Sequence, residues 1–467
     1  MTHFCPAYPK PRPNRASLWS LFRSARHSWL DALYERSYRM QMGEVHLPGV
    51  DLYMVNDPVQ VRRVLTEDAA QFPKSAHMAD ALRPLLGDSI FTTNGDTWKR
   101  HRDMMQPAFA QARLEASFPV MAAAASDLVQ RLQQESAAGA ECDIEIEMTH
   151  VTADIIFRTI FSEPLAGPDA HRVFSAFAQF QALAPRLMLP ALFGVRWLAW
   201  PWDVLRSQRA ARQIRQLLEQ LVQPRHAAWQ RGDDLGKNDI LSAFLAARDA
   251  TTGKPFSLTE LVDQVAMLFL AGHETSASAL TWSAYLLAKA PDVQQRVLEE
   301  LSGVIGQRAP QQADMKQLTL TRNVFRETLR LFPPVGFIAR EAAQTCPMRD
   351  KVVPKGASVV ISPWLIHRHR ERWQDPDAFN PDRFDDGDSR ESIRSAYLPF
   401  GMGPRVCMGA AFALQEATLI LASVLSAFRI EPVAQHTPMP VGRLTIRSNN
   451  GVRVRLVPRP ARPQVQA

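Results

Sequence analysis

The chain has 467 residues, 46% of them hydrophobic and 22% charged, the balance of a soluble globular protein with a sizeable core, long enough for one large domain or two to three smaller ones. The net charge is +7 with a pI near 9.4. Much of the excess sits in Lys10, Arg12, Arg15, Arg23 and Arg26 and in the tail VPRPARPQVQA, without interleaved base-stacking aromatics, which argues against nucleic acid and leaves an acidic protein partner open. The four cysteines, Cys5, Cys142, Cys346 and Cys407, form no CxxC pair, so a disulfide framework or zinc site is not expected and a reducing, cytoplasmic compartment is.

The N-terminal arm over 1–40 carries prolines and basic residues at its start but no apolar run there, so neither a secretory segment nor a membrane anchor is expected in it. A strand pair follows, EVHLP and VDLYMV about a turn at Gly49, then a helix over Pro58–Leu65 with proline in its first turn. From Trp98 to Leu301 apolar residues recur mostly at helical period, as in LVQRLQQ and RQIRQLLEQLVQ. Leu187–Trp202 (LMLPALFGVRWLAWPW) is almost wholly apolar, with three tryptophans, but Pro190 and Pro201 interrupt it and it is too short to span a bilayer. A long helix begins near Ser257, where Ser257-Leu258-Thr259-Glu260 forms a capping box.

Past Arg340, KVVPKGASVVISP reads as a strand, a turn and a second strand. His367–Met408 is long and irregular, a feature more often functional than filler, and His367-Arg368-His369 within it reads as loop surface. An apolar helix over Ala410–Phe428 and strands near Ile446 and Val452–Leu456 complete the pattern. No internal repeat or linker divides the chain. The expectation is a mainly helical fold with small β-sheets (α+β), a single domain over 41–457 and a flexible tail over 458–467.

The chemistry is concentrated in Phe400-Gly401-Met402-Gly403-Pro404-Arg405-Val406-Cys407-Met408-Gly409. Two glycines within three residues permit a tight turn with positive φ. Cys407 then precedes an apolar helix, whose N-terminus, with Arg405, favours a thiolate. Gly409 leaves room for a flat group against the backbone, and Phe400 can pack beside the sulfur. The run FxxGxRxCxG before a long apolar helix resembles the haem-binding loop of the cytochrome P-450 family. Other stations stand in the family's order. Glu327-Thr328-Leu329-Arg330 is an ExxR, and Pro381-Asp382-Arg383-Phe384 is similar to the segment whose arginine closes on it; the resemblance gives Glu327, Arg330 and Arg383 a structural role. Ala271-Gly272-His273-Glu274-Thr275 resembles the oxygen-binding groove, a locally widened helix in which the acid and alcohol, Glu274 and Thr275, deliver protons; Thr275 can also bond the Ala271 carbonyl. His273-Glu274 is not a zinc-protease HExxH, because position 277 is Ala. Trp98 and Arg102, one turn apart, are similar to the family's haem-propionate clamp, with Arg405 and Arg340.

The resemblance implies the cytochrome P-450 fold, a triangular helix-rich prism with haem b between the long central helix and the cysteine-loop helix. It also implies Cys407 as axial iron ligand and a monooxygenase that inserts one atom of O2 into a C–H bond. A thiolate ligand favours O–O cleavage. Phe400, Gly401, Gly409 and Ala271 would border the haem. Phe91, Met267, Leu270, Ala271, Thr275, Val335, Phe337 and Ile338 would line the substrate site, all apolar but Thr275, which suits an apolar molecule such as a fatty acid, terpenoid or steroid-like compound. The chain runs about 60 residues past Cys407, so electrons are expected from NAD(P)H through a separate reductase and a ferredoxin or flavodoxin, which a basic proximal face would suit. Leu187–Trp202 corresponds to the family's lid and is a possible peripheral membrane contact. Two alternatives remain: a peroxide-driven peroxygenase, disfavoured by Glu274-Thr275, and a non-catalytic haem-thiolate sensor or carrier.

Overall fold

A computed structural model describes residues 3–14, 28–47, 50–136, 141–165, 172, 174–177, 179–181, 201–233 and 236–459. The longer helices are α1 (Ala76–Leu86), α2 (Gly95–Met105), α3 (Gln111–Ser136), α4 (Ile144–Phe161), α5 (Pro201–Gln230), α6 (Leu258–Lys289), α7 (Pro291–Val304), α8 (Thr319–Leu331) and α9 (Ala410–Ala427). The strands are β1 (Met42–Leu47), β2 (Val50–Val55), β3 (Glu141–Asp143), β4 (Ile338–Glu341), β5 (Cys346–Met348), β6 (Lys351–Val353), β7 (Ser358–Ile361), β8 (Phe428–Pro432), β9 (Pro440–Gly442), β10 (Ile446–Ser448) and β11 (Arg453–Pro458). The mainly helical expectation with small sheets holds.

The strands form a four-stranded sheet in the order β1-β2-β7-β4, a three-stranded sheet β3-β11-β8, and the hairpins β5–β6 and β9–β10. The two strands read in KVVPKGASVVISP do not pair with each other. β6 closes on β5, whereas β7 lies parallel to β2 and antiparallel to β4. The Pro354–Gly356 corner turns the chain from one sheet to the next, a partner choice that strand propensity alone does not encode.

α6 is the axis of the fold. Ser257 caps it: its hydroxyl accepts from Glu260 N at 3.2 Å and the Glu260 carboxylate accepts from Ser257 N at 2.8 Å. The helix is apolar nearly all round, the pattern of one enclosed by protein, and its most extensive packing is on α4. From Leu261 to Ala288 every residue is buried except Ala271, Gly272 and Thr275. Those three share one face, at i, i+1 and i+4.

The described residues of the N-terminal arm join the same core. Leu30, Leu33 and Tyr38 are buried in one apolar cluster with α6, α8 and α9 residues, and Phe4 meets Tyr285 edge-to-face. At the other end β11 continues to Pro458, one residue into the expected tail, and residues 460–467 lie outside the described residues.

His367–Met408 contains short helical turns at Pro381–Phe384, Arg390–Ala396 and Gly403–Arg405. A buried ion network holds it. Arg330 donates from Nε and Nη2 to the two Glu327 oxygens, both at 2.8 Å. It also donates to the carbonyls of His367 at 2.9 Å, Pro376 at 2.6 Å and Ala378 at 2.9 Å. Arg383 Nε reaches Glu327 at 3.2 Å, and its other nitrogens donate to the carbonyls of Gln374 and Asp375. Glu327 and Arg330 are fully buried, tolerable only because nearly every polar atom has a partner. The expectation that His367-Arg368-His369 is loop surface is wrong: all three are buried. The Arg368 guanidinium lies 3.7 Å from the Trp364 ring centroid, and His367 Nε2 accepts from Leu398 N at 2.9 Å. For Arg368 the compensation is stacking on Trp364 and the Asp377 carboxylate 3.8 Å away, since its buried nitrogens make no hydrogen bond.

Arg330→Met should destabilise the protein by on the order of 3–5 kcal/mol, read as a lower urea midpoint. Arg330→Lys should recover little of it, because an ammonium cannot reproduce the planar five-donor fork. Full recovery by Lys would show that charge alone, without the fork, holds the loop.

Candidate functional site

The cysteine loop leaves the locked segment in a conformation that its glycines permit. Gly401 and Gly403 both have φ of +71°, in the left-handed region open to glycine at little cost. A Cβ at Gly403 would lie 2.1 Å from the Leu65 carbonyl oxygen, so the loop is also pressed against that turn. Cys407 N donates to Phe400 O at 3.0 Å, and Phe400 packs on the main apolar cluster. α9 begins at Ala410, with Gly409 as its N-cap, so the sulfur stands just ahead of the helix.

Cys407 keeps exposed surface, yet burial pushes its thiol up. Both hold if the surface it exposes faces an internal slot. The Gly409 N–H and the Arg102 charge act against the rise and favour the thiolate. Arg405, expected to assist, points elsewhere: its Nη1 donates to Ala69 O at 3.0 Å and Phe72 O at 3.2 Å, and its guanidinium lies 5.2 Å from the Trp98 ring centroid.

The rest of the slot follows from exposure. Ala271, Gly272 and Thr275 are the open face of α6, and Ala410–Leu414 are not fully buried at the start of otherwise buried α9. Ile338 Cδ1 lies 3.9 Å from where a Gly401 Cβ would stand, placing β4 beside the cysteine loop. Val335, Phe337 and Ile338 each keep exposed surface. Phe91 is 47% exposed. Met267 and Leu270 are buried within the second apolar cluster, and Leu444, which the sequence reading did not single out, packs against that cluster from the β9–β10 turn.

One edge of the slot is strongly cationic. Lys74 is held by an isolated bridge to Arg340 and donates to the carbonyls of Ile90 at 2.5 Å and Thr93 at 2.7 Å. Its Nζ lies 5.7 Å from the Trp98 ring centroid. Burial, then the charges of Arg405, Arg340 and Arg102, bring its pKa down to about 6. Buried Nε atoms of Arg340 and Arg405 have no partner. A thiol on one face, an apolar middle and a buried edge of crowded cations with unfilled donors fit a flat apolar macrocycle bearing two carboxylates. Haem b meets that description; Cys407 would face its iron, and Lys74, Trp98, Arg102, Arg340 and Arg405 would face its propionates.

α6 is continuous through 271–275, without the widening that the resemblance implies. Thr275 Oγ1 donates to Ala271 O at 2.7 Å, an extra bond made without breaking the helix. The Glu274 carboxylate turns away from that hydroxyl. Arg447 Nη2 donates to one of its oxygens at 2.6 Å, and Thr445 Oγ1 and Arg447 Nε to the other at 2.6 and 3.2 Å. Burial by itself would raise the Glu274 pKa; the Arg447 charge and these bonds more than offset it, and the carboxyl is held below its ordinary range. Arg447 also donates to Glu145 and Thr149, both at 3.3 Å. His273 Nδ1 donates to Phe269 O at 2.5 Å, leaving Nε2 to accept from the Gln181 amide at 3.0 Å. It belongs to no metal cluster among the described residues. Behind Thr275, Ser276 bonds the buried Glu416 of α9, whose carboxyl burial pushes up to about 8. Of Leu187–Trp202 only Pro201 and Trp202 lie within the described residues, and Trp202 is 66% exposed.

Lys74, Arg447, Glu416 and Leu444 lie outside every motif in the sequence. Each matters through a partner brought near by folding, and no spacing signal could have found them.

Residues 6–451 match the Cytochrome P450 family. Among curated proteins the chain is 32% identical over 429 residues to cyclooctatin synthase of Streptomyces melanosporofaciens, covering 89% of this chain and 88% of that one. It is 30% identical over 442 residues to pentalenene oxygenase of Streptomyces avermitilis, 94% of each. It is 33% identical over 382 residues to a cytokinin hydroxylase of Arabidopsis thaliana, 80% of this chain and 73% of that one.

Arg447→Met leaves Glu274 buried without its counter-ion. A carboxylate with a depressed pKa contributes stability that is present at neutral pH and lost as pH falls through its folded-state value. The variant should therefore be less stable than wild type by on the order of 3–5 kcal/mol at neutral pH, with the gap narrowing on acidification. Thermal melts across the acid range check this, and a gap independent of pH would show that Arg447 acts through packing. Lys74→Met should speed haem loss to a scavenger apoglobin, since it removes a donor from the cationic edge; an unchanged rate would take Lys74 out of that edge.

Proposed function

Since the chain belongs to the cytochrome P-450 family and is accordingly a haem-thiolate monooxygenase acting on a small molecule with O2, we propose that it hydroxylates a C–H bond of a lipophilic substrate with a largely hydrocarbon skeleton, a fatty acid, terpenoid or steroid-like compound. The single observation that carries this reading is the slot: Ala271, Gly272 and Thr275, the only openings in the buried span of α6, together with the exposed sulfur of a Cys407 that burial nonetheless affects. Relatives named for pentalenene and for cyclooctatin support an apolar skeleton.

The haem supplies O2 activation and transfer of one oxygen atom to carbon. The chain's residues do the rest. Cys407 would hold the iron as thiolate, a form favoured by the Gly409 N–H and by Arg102. Lys74, Trp98, Arg102, Arg340 and Arg405 would orient the propionates. Val335, Phe337, Ile338 and Leu444 exclude water and present the substrate. Thr275 Oγ1 rests its proton on the Ala271 carbonyl, so its lone pairs stay open to accept a hydrogen bond from the slot. Glu274 is anchored and ionised on Thr445 and Arg447 and would relay a proton toward Thr275 only on releasing that pair. Electrons come from NAD(P)H through a separate reductase and an acidic ferredoxin or flavodoxin; the net charge of +7 favours such an encounter. The four free cysteines support a cytoplasmic location.

The carbon-monoxide difference spectrum of the reduced protein tests the ligand. Wild type should give the red-shifted band of thiolate-bound haem and Cys407→Ala should lose it. Folded wild-type protein without that band would refute the reading. Product formation with a reductase pair, compared with peroxide alone, then separates monooxygenase from peroxygenase, and no product with either would indicate a carrier or sensor.

A further inference from the structure

Ser28 and Trp29 come from the N-terminal arm, far in sequence from everything that borders the slot. Ser28 is fully buried. Its hydroxyl accepts from Gly442 N at 2.9 Å and from Leu30 N at 3.2 Å, which ties the start of the arm's helical turn to β9. The Trp29 indole is thereby placed between two stretches of main chain. A Cβ at Gly336 would lie 2.1 Å from Trp29 Cζ2, and one at Gly442 would lie 2.2 Å from Trp29 Nε1. The ring touches backbone on both sides, at positions where no larger residue fits without displacing it.

Those two stretches are walls of the slot. Gly336 sits between Val335 and Phe337. Gly442 opens the turn that carries Leu444. The Phe337 ring stands edge-on to the indole, centroids 5.5 Å apart at 88°. Behind the indole is fixed structure. Trp364, fully buried, meets it at 6.5 Å and 89°, and the Gly336 carbonyl accepts from Ser362 Oγ at 2.9 Å and Trp364 N at 3.4 Å. A wedge with a rigid back transmits its thickness to whatever lies in front. Phe337 stands against the indole and Leu444 follows Gly442 by two residues, and both are only partly buried.

We propose that Trp29 is a specificity-determining positioning residue: its indole, wedged between Gly336 and Gly442, sets how far Phe337 and Leu444 project into the slot and so the largest substrate the enzyme accepts. This rests on the reading of the slot as the haem and substrate site. Trp29 touches no substrate. It acts through the two walls, and thinning the wedge lets them fall back while thickening it drives the Val335–Phe337 segment inward.

The test uses haem-loaded, full-length protein and three nitrogen-donor probes of increasing size: imidazole, phenylimidazole and biphenylylimidazole. Each dissociation constant is read from the Soret shift on nitrogen binding to iron. In Trp29→Ala the affinity for biphenylylimidazole relative to imidazole should rise on the order of tenfold, about 1.4 kcal/mol, with a smaller rise in Trp29→Phe. Gly442→Ala, whose new methyl meets the indole, should shift the ratio the other way. A merely structural tryptophan would weaken all three probes by a common factor or leave the ratio unchanged, and either result overturns the proposal. If Trp29→Ala fails to hold haem, Trp29→Phe and Gly442→Ala carry the comparison. Failure of the underlying reading looks different: wild type itself would lack the thiolate band and show no Soret shift with imidazole, which would overturn both.

Discussion

A single buried guanidinium fixes where the chemistry can happen. Arg330 binds Glu327 in fork geometry and ties down the carbonyls of His367, Pro376 and Ala378. Carbonyls in irregular chain have no helix or sheet to satisfy them, and leaving them dry would cost about 1–3 kcal/mol each. Arg330 satisfies three at once, and Arg383 extends the arrangement from the far side of the same carboxylate. The segment leading to Cys407 is therefore held by polar bonds to α8, and the sulfur inherits its position from that anchoring.

The slot then forms where the core stops being continuous. α6 is enclosed from Leu261 to Ala288, and the gap in that span falls at Ala271, Gly272 and Thr275, two of them small residues. Gly272 also lets α4 approach, since a Cβ there would meet Ile156 at 2.9 Å. The same short stretch thus serves close helix packing on one side and leaves space on the other. Charge is sorted with equal economy. Cations gather at one edge, where burial and like-charge repulsion lower the Lys74 pKa to about 6, while the one carboxylate adjoining Thr275 in sequence is neutralised by Arg447. Unpaired positive charge at the rim favours an anionic group there, and paired charge near the centre keeps the middle of the slot apolar.

Glu274 illustrates how a motif residue can be placed without being free to act. Its carboxylate is shared out among Thr445 and Arg447, and Arg447 has a second carboxyl, Glu145, on its outer side. Burial raises the Glu145 pKa, so Arg447 lies between one acid held ionised and another biased toward neutrality. An arginine in that position makes the readiness of Glu274 to take a proton depend on a residue more than a hundred positions away.

The sequence by itself determined the elements whose cause is local. The capping box at Ser257 starts α6, the glycines at 401 and 403 allow the left-handed turns of the cysteine loop, Thr275 reaches back one helical turn to Ala271, and FxxGxRxCxG with ExxR identifies the family. Each depends on neighbours a few residues apart, so spacing alone carries the information. Only the tertiary structure decided which strands pair, that β6 and β7 part company, that His367-Arg368-His369 lies inside, and that the arm belongs to the core. It alone brought Lys74 to Arg340, Arg447 to Glu274 and Trp29 between Gly336 and Gly442. The physical reason is common to all of these: buried charge, close backbone approach and strand pairing are settled by partners distant in the chain, and one-dimensional spacing holds no record of who those partners are.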